Sequence, residues 1–207
     1  MKKFITVIAA GLMLLAGTNA FAQMSFGAGY VNSIETMKIG DLVSKTPANG
    51  FCVGANYRIP LARGLSFTPG LNYEFITAKS TTKNAFFSAT GRLTEHYINI
   101  PLTFSYGIAF GNAKAFVFAG PTGSLGLAST TSAKGNILGF KNSGSVNNYD
   151  DDDYGRFDIL LGGGLGVEFL ENLRFTVGYD FGLLNRALVN NVTLHRNQLT
   201  VGISYVL

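Results

Sequence analysis

The chain ends in Arg196-Asn197-Gln198-Leu199-Thr200-Val201-Gly202-Ile203-Ser204-Tyr205-Val206-Leu207. From Leu199 it alternates: Leu199, Val201, Ile203, Tyr205 and Leu207 take one face, while Gln198, Thr200, Gly202 and Ser204 take the other. Period two with one apolar side is the pattern of a strand whose faces meet different surroundings. A strand at the edge of a sheet presents a row of unpaired backbone groups unless another chain or an earlier strand covers it. Pairing with an earlier strand would close the sheet, so this stretch predicts a barrel.

Seven further segments carry the same alternation. The first, about Met24 to Asn32, sets Phe26, Ala28 and Tyr30 opposite Ser25, Gly27 and Gly29; a polar loop is expected over Ile34 to Gly50. The second, Phe51 to Ile59, sets Phe51, Val53, Ala55, Tyr57 and Ile59 against Cys52, Gly54, Asn56 and Arg58, and Pro60 to Gly64 reads as a tight turn. The third, Leu65 to Thr77, has Leu65, Phe67, Leu71, Tyr73 and Phe75 against Ser66, Thr68, Gly70, Asn72 and Glu74, with a loop expected over Ala78 to Arg92. The fourth, about Leu93 to Ile108, carries Ile98, Ile100, Leu102, Phe104 and Tyr106 against Asn99, Thr103, Ser105 and Gly107, and turns at Gly111-Asn112. Its Pro101 has no N–H for a ladder, which predicts a bulge or a missing bond.

The fifth segment, about Lys114 to Leu127, fits least well, because Phe116 and Phe118 fall on the face that Gly120, Thr122 and Ser124 keep small. The longest loop is expected over Ala128 to Gly155. The sixth strand, Arg156 to Phe169, shows Phe157, Ile159, Leu161, Leu165, Val167 and Phe169 against Asp158, Gly162, Gly164, Gly166 and Glu168. After a minimal turn at Leu170 to Asn172, the seventh, Leu173 to Leu183, opposes Phe175, Val177, Tyr179 and Phe181 to Arg174, Thr176, Gly178, Asp180 and Gly182, and Asn185 to Leu194 leads into the last strand.

Two regularities decide the class. Connections alternate long and short, the asymmetry of transmembrane barrels. The polar faces hold mostly Gly, Ser, Thr and Asn, too small and too uncharged to be the solvated exterior of a soluble up-and-down barrel. They fit a lumen, which leaves the Leu, Val, Ile, Phe and Tyr face in lipid, where backbone groups are satisfied only if the sheet is closed. The expected fold is therefore an all-β, eight-stranded, antiparallel up-and-down transmembrane barrel. Aromatic side chains at both ends, Phe26, Tyr57, Phe67, Tyr106, Phe169, Phe175 and Tyr205 at one and Tyr30, Phe51, Phe75, Phe157 and Phe181 at the other, are candidate interfacial girdles.

The N-terminus reads as an address. Lys2 and Lys3 precede an apolar run from Phe4 to Ala16 and a small-residue ending, Ala20-Phe21-Ala22. This is the order of a signal peptide, 1–22, with cleavage expected before Gln23 and a single barrel domain over 23–207. Removal of Lys2 and Lys3 leaves 14 basic against 12 acidic side chains. That balance argues against a nucleic-acid binder. Cys52 is the only cysteine, so an exported chain would hold together without an internal disulfide.

Tyr97-Ile98-Asn99-Ile100-Pro101-Leu102, Ala119-Gly120-Pro121, and Asp158 followed by Gly162-Gly163-Gly164-Leu165-Gly166-Val167-Glu168 resemble the single-domain outer-membrane β-barrels common in Bacteroidetes. These are loosely called porin-family proteins and are akin to the transmembrane domain of outer membrane protein A. The closing strand resembles the C-terminal signal read by the outer-membrane barrel assembly machinery, with Thr200, Gly202, Tyr205 and Leu207 in its pattern. The resemblance implies a cell outer-membrane location, lipid, lipopolysaccharide and that machinery as partners, periplasmic termini and extracellular long loops. No domain is expected after Leu207, so peptidoglycan binding is not implied.

Lumen parity gathers Arg58, Arg174 and Arg196 with Glu74, Asp158, Glu168 and Asp180. They could form a charged constriction that selects solutes, or a plug of mutually neutralising pairs. An eight-stranded barrel is just wide enough for side chains to fill it, which favours the plug. Asp150 to Asp153, in the 128–155 loop expected to meet any extracellular ligand, lacks the Gly and terminal Glu of a defined calcium loop, so no metal site is expected. Gly162 to Gly166 fails the spacing of a nucleotide-binding loop and leads into a strand, so no cofactor is expected either. Asn191-Val192-Thr193 matches a glycosylation sequon by accident in a bacterial chain. The histidines, His96 and His195, have no Ser placed as in the His-x-Ser arrangement that resembles lipid A deacylase barrels. The expectation is a non-enzymatic barrel with a structural or surface-exposed role. A small-solute porin is the alternative, and a lipid-modifying enzyme a weaker one. Deleting Tyr205 to Leu207 should abolish assembly, read as loss of the heat-modifiable form from the outer membrane.

Overall fold

Main-chain pairing in this protein closes on itself. The computed structural model describes residues 23–83, 87–137, 140–150, 154–170, 172–189 and 191–207. Within them, nine strands run antiparallel: β1 (Gln23–Ile39), β2 (Leu42–Ala62), β3 (Leu65–Lys83), β4 (Phe87–Phe110), β5 (Ala113–Ile137), β6 (Phe140–Asn147), β7 (Phe157–Phe169), β8 (Leu173–Gly182) and β9 (Val192–Val206). The order β4-β3-β2-β1-β9-β8-β7-β5, with β5 pairing back to β4, is a ring of eight strands. β9 seals it against β1, from Ser25↔Val206 to Ile39↔Val192. The closing strand is thus the mate of the first. The expected signal segment, 1–22, lies outside the described residues.

The side-chain distribution is inside out relative to a soluble protein. Phe26, Tyr30, Phe51, Leu71, Phe104, Leu165, Phe181 and Tyr205 are exposed on the outer surface, whereas Ser25, Ser66, Glu74, Asn99, Asp158, Glu168, Arg174 and Arg196 are buried within the ring. An apolar belt around a polar interior suits a hydrocarbon surrounding, where a closed ring leaves no edge unpaired. At one rim Phe51 packs on Phe75, with ring centroids 5.4 Å apart. At the other, Phe67 meets Phe104 at 5.0 Å and Phe169 stacks on Phe175 at 5.3 Å.

The strands outrun the belt. The loops expected over Ile34 to Gly50, Ala78 to Arg92 and much of Ala128 to Gly155 are instead hairpin extensions. β1 and β2 stay paired to Ile39↔Leu42 across Gly40 (φ 56°), β3 and β4 to Lys83↔Ser88, and β5 continues to Ile137. A ninth strand, β6, pairs only with the outer part of β5, from Thr130↔Asn147 to Ile137↔Phe140. The reason is solvent: beyond the lipid both faces of a strand meet water, so the apolar alternation that marks strands in the belt disappears. The turn at Gly111-Asn112 is as expected, with Gly111 (φ 58°) opening the two-residue link Phe110↔Ala113, whereas the turn expected over Pro60 to Gly64 narrows to Arg63 and Gly64 because β2 stays paired to Ala62.

Pro101 interrupts the ladder without shifting it, whereas the β2–β3 register shifts between Pro60 and Ala62. β3 and β4 pair at Pro69↔Leu102 and resume in the same register at Asn72↔Asn99, skipping Pro101, so of the two outcomes expected there the missing pair holds. The shift in β4–β5 lies at Leu127, the extra residue between Gly126 and Ala128, which flips the alternation and turns Ser129 inward. Some inward positions are apolar: Val31, Ile76, Tyr97, Leu160 and Leu194 are buried, and Ile76 and Tyr97 form a small core with Ala48.

Phe116 and Phe118 do face the lumen. Glycines on the neighbouring strands make the room: a Cβ at Gly166 would collide with the Phe116 ring, and Cβ atoms at Gly164 and Gly178 would come within 2.7 and 3.1 Å of the Phe118 ring. Overpacking of this kind costs about 1–3 kcal/mol. Gly166→Val should therefore lower the thermal midpoint of heat-modifiability, and adding Phe116→Ala should restore part of it; equal midpoints for wild type and Gly166→Val would refute this packing.

Candidate functional site

Functional chemistry in a closed barrel lies in its lumen and at its two mouths. Three layers of charged side chains occupy them here. In the middle layer, Arg196 of β9 reaches across the ring and is 0% exposed. Its Nη1 donates to Glu74 Oε1 at 3.3 Å and its Nη2 to Ser124 Oγ at 2.8 Å. Ser124 donates to Asn99 Oδ1 at 2.6 Å, and Asn99 Nδ2 donates to Glu74 Oε2 at 2.7 Å. β9, β3, β4 and β5 are thus joined by one closed circuit of hydrogen bonds, the condition under which a buried charge is tolerated.

Above it, toward the hairpins, lies Arg186 from the β8–β9 connection, 1% exposed. Its Nη1 donates to Glu35 Oε1 at 3.0 Å and its Nη2 to the Tyr97 hydroxyl at 2.8 Å, with Glu95 Oε1 at 3.8 Å. Two guanidinium groups lie over the Tyr97 ring, Arg196 at 4.0 Å and Arg186 at 5.2 Å from its centroid, both within cation–π range. Tyr154, whose ring sits 4.5 Å under Arg186, has its hydroxyl 3.0 Å from both Glu35 and Glu95. Burial pushes the hydroxyls of Tyr149 and Tyr154 above the ordinary phenol range, against the opposing pull of Arg186, so both stay protonated.

The third layer is at the turn end. Glu168 Oε2 accepts from Arg58 Nη1 at 2.8 Å and from Arg174 Nη2 at 2.9 Å. Lys114 stands beside Glu168 in register on β5, as Arg174 does on β8. Between this layer and Arg196 lies a cavity of about 220 Å³, lined by Asn72, Thr103, Phe118, Asp180 and Gly202 among others. A second pocket, of about 230 Å³ and bounded by Gln23, Gly64, Leu65 and Ser66, shares Arg58 and Lys114 with it and lies on its turn side.

Of the seven lumen charges read from the sequence, Arg58, Glu168 and Arg174 form one group and Glu74 and Arg196 another. Asp158 accepts from the Leu184 N–H at 3.3 Å, and Asp180 stands opposite Gln198; neither has a cation within 4 Å among the described residues. Gly202 lines the cavity and Tyr205 lies on the outer belt, 51% exposed. Thr200 also lines the cavity, and Leu207 is exposed at the turn end. His96 is on the outer wall, its Nδ1 2.6 Å from the Tyr73 hydroxyl. Asp150 accepts from Asn147 Nδ2 at 2.7 Å, while Asp151 to Asp153 lie outside the described residues.

The sequence reading missed the Arg186 layer. Arg186, Glu35 and Tyr154 fell in stretches read as loops, where no periodicity signals direction. Tyr97 and Glu95 share the parity of Asn99, so that signal was present.

A search of curated protein sequences found no match. Among solved structures, the chain is similar to Ail, the attachment invasion locus protein of Yersinia pestis, at 13% identity and a TM-score of 0.42, covering 90% of this chain and 99% of that one. It is also similar to Neisserial surface protein A, at 16% identity and 0.44 over 87% and 96% of the two chains. OprG from Pseudomonas aeruginosa gives 11% identity and 0.43 over 92% and 98%. At these identities and scores the likeness says nothing about role. The outer membrane protein beta-barrel domain family matches residues 8–186. The chain, a closed ring with an apolar exterior and a polar interior, therefore belongs to that family and is an outer-membrane barrel.

Proposed function

We propose that this protein is a structural or surface-presenting barrel of the outer membrane, non-enzymatic, with a lumen plugged by its own side chains. One observation carries the reading: Arg196 spans the ring at 0% exposure, tied to Glu74 and Ser124 and capped by Tyr97 and Arg186. A solute would have to break that circuit, which leaves buried charges without partners. The termini and short turns face the periplasm and the hairpins face outward, as in outer-membrane barrels, whose turns are short on the periplasmic side. The sequence motifs around Pro101 and Gly164 support a kinship with the Bacteroidetes porin-family barrels.

The hairpin extensions are the parts that meet partners. β5 and β6 carry the region of the 128–155 loop that we assign to an extracellular ligand, while lipid, lipopolysaccharide and the assembly machinery are the partners of the belt and of the closing strand with Thr200, Gly202, Tyr205 and Leu207. Catalysis is not part of this reading: His96 is engaged by Tyr73 on the outer wall. Incubation with lipid A should leave its acyl chains intact.

In planar bilayers the purified barrel should show no stable conductance step, and a reproducible open channel would convert the reading to the rival one, a small-solute porin. Glu168→Ala, which leaves Arg58 and Arg174 facing each other, should destabilise the barrel by about 3–5 kcal/mol, more than any exposed-hairpin substitution. The check is heat-modifiability, and equal melting of Glu168→Ala and an exposed-hairpin variant would count against the plug.

A further inference from the structure

The plug accounts for the hairpin end and middle of the lumen but leaves an excess of positive charge at the turn end. Glu168 is the carboxylate of that layer, and both its oxygens are engaged: Oε2 by Arg58 and Arg174, and Oε1 by Arg58 Nη2 at 3.4 Å. Lys114 points into the same space without a carboxylate within 4 Å among the described residues. Its stem lies over Gly107, where an added Cβ would come within 2.6 Å of Lys114 Cε, so the glycine makes room for it. Arg58, Arg174 and Lys114 against Glu168 amount to three cations and one anion at the mouth of a cavity of about 220 Å³.

The rest of the lumen has the opposite sign. Glu74 and Asp180 line the deep end of the cavity, with Asp158, Glu95 and Glu35 beyond, against two fully buried cations among the described residues, Arg196 and Arg186. An anion entering from the turns would be attracted by the first layer and repelled by the carboxylates behind it, while the Arg196 circuit blocks passage. The walls concentrate the field of the three cations, because low-dielectric walls focus field lines into a cleft. Arg174, stacked 5.6 Å from the Phe116 ring, is held in place independently of any ligand. The space suits an ion a few times the ~30 Å³ share of one water.

We propose that the turn-end vestibule is a binding site for a small dianion of the phosphate or sulfate class, held by Lys114, Arg58 and Arg174. The chemistry is the same whether the phosphate is free or is the headgroup of a lipid. Lys114 supplies the uncommitted charge, and the two arginines add N–H donors not taken by Glu168.

The test uses the full mature chain refolded in a zwitterionic detergent at low ionic strength, titrated with inorganic phosphate and separately with sulfate by calorimetry. Saturable binding is expected for wild type. Lys114→Gln, which removes no ion pair and so should fold normally, should weaken it about tenfold, the scale of one partly solvated charge contact. Lys114→Arg should retain it. No saturable binding by wild type, or unchanged affinity in Lys114→Gln, would overturn the site. Competition with phosphatidic acid in mixed micelles separates the sources: displacement of phosphate well below its own concentration assigns the site to a lipid headgroup, and displacement only at matching concentration assigns it to the free dianion, both keeping the site. Because the readout is binding, its failure is distinct from detection of a conducting lumen.

Discussion

Closure of the β1–β9 seam is the constraint on which everything else rests. In hydrocarbon an unpaired N–H or C=O has no water to turn to, so a sheet can cross only as a ring. The register from Ser25↔Val206 to Ile39↔Val192 meets that condition along β1 from Ser25 to its end. Once the ring is closed, the alternation of each strand places one set of side chains in lipid and the other in a narrow lumen. The apolar belt and the polar interior are two consequences of one geometric fact.

An eight-stranded lumen is small, and two kinds of side chain compete for it. Phe116 and Phe118 enter only because Gly164, Gly166 and Gly178 give them space. The buried arginines enter with partners, Arg196 with Glu74, Asn99 and Ser124, and Arg186 with Glu35 and Tyr97. Buried ion pairs are weak sources of net stability but strong penalties when broken. Their effect here is positional: they tie together strands distant in sequence, such as β3 with β9 and β4 with the β8–β9 connection. At the turn end the balance of charge is left uneven, with Lys114 outside any pair. That unevenness gives the mouth of the lumen a sign.

Within the belt, the sequence alone determined the architecture: alternation from Met24 to Asn32 through to Leu199 to Leu207 set strand direction and which face meets lipid, since period two is a direct record of two different surroundings. It also determined that Arg58, Glu74, Asp158, Glu168, Arg174, Asp180 and Arg196 point inward. Where both faces meet the same solvent that record vanishes, so the extensions of β1 to β5 and the ninth strand, β6, emerged only from the tertiary structure. So did the partners of the charges. Parity gives direction but not height or distance across the ring, and these depend on the stagger of all eight strands, including the shift at Leu127 that turned Ser129 inward. For that reason Glu168 could be assigned to the lumen from its place in β7, but its pairing with Arg58, 110 residues away, was decided by closure of the barrel.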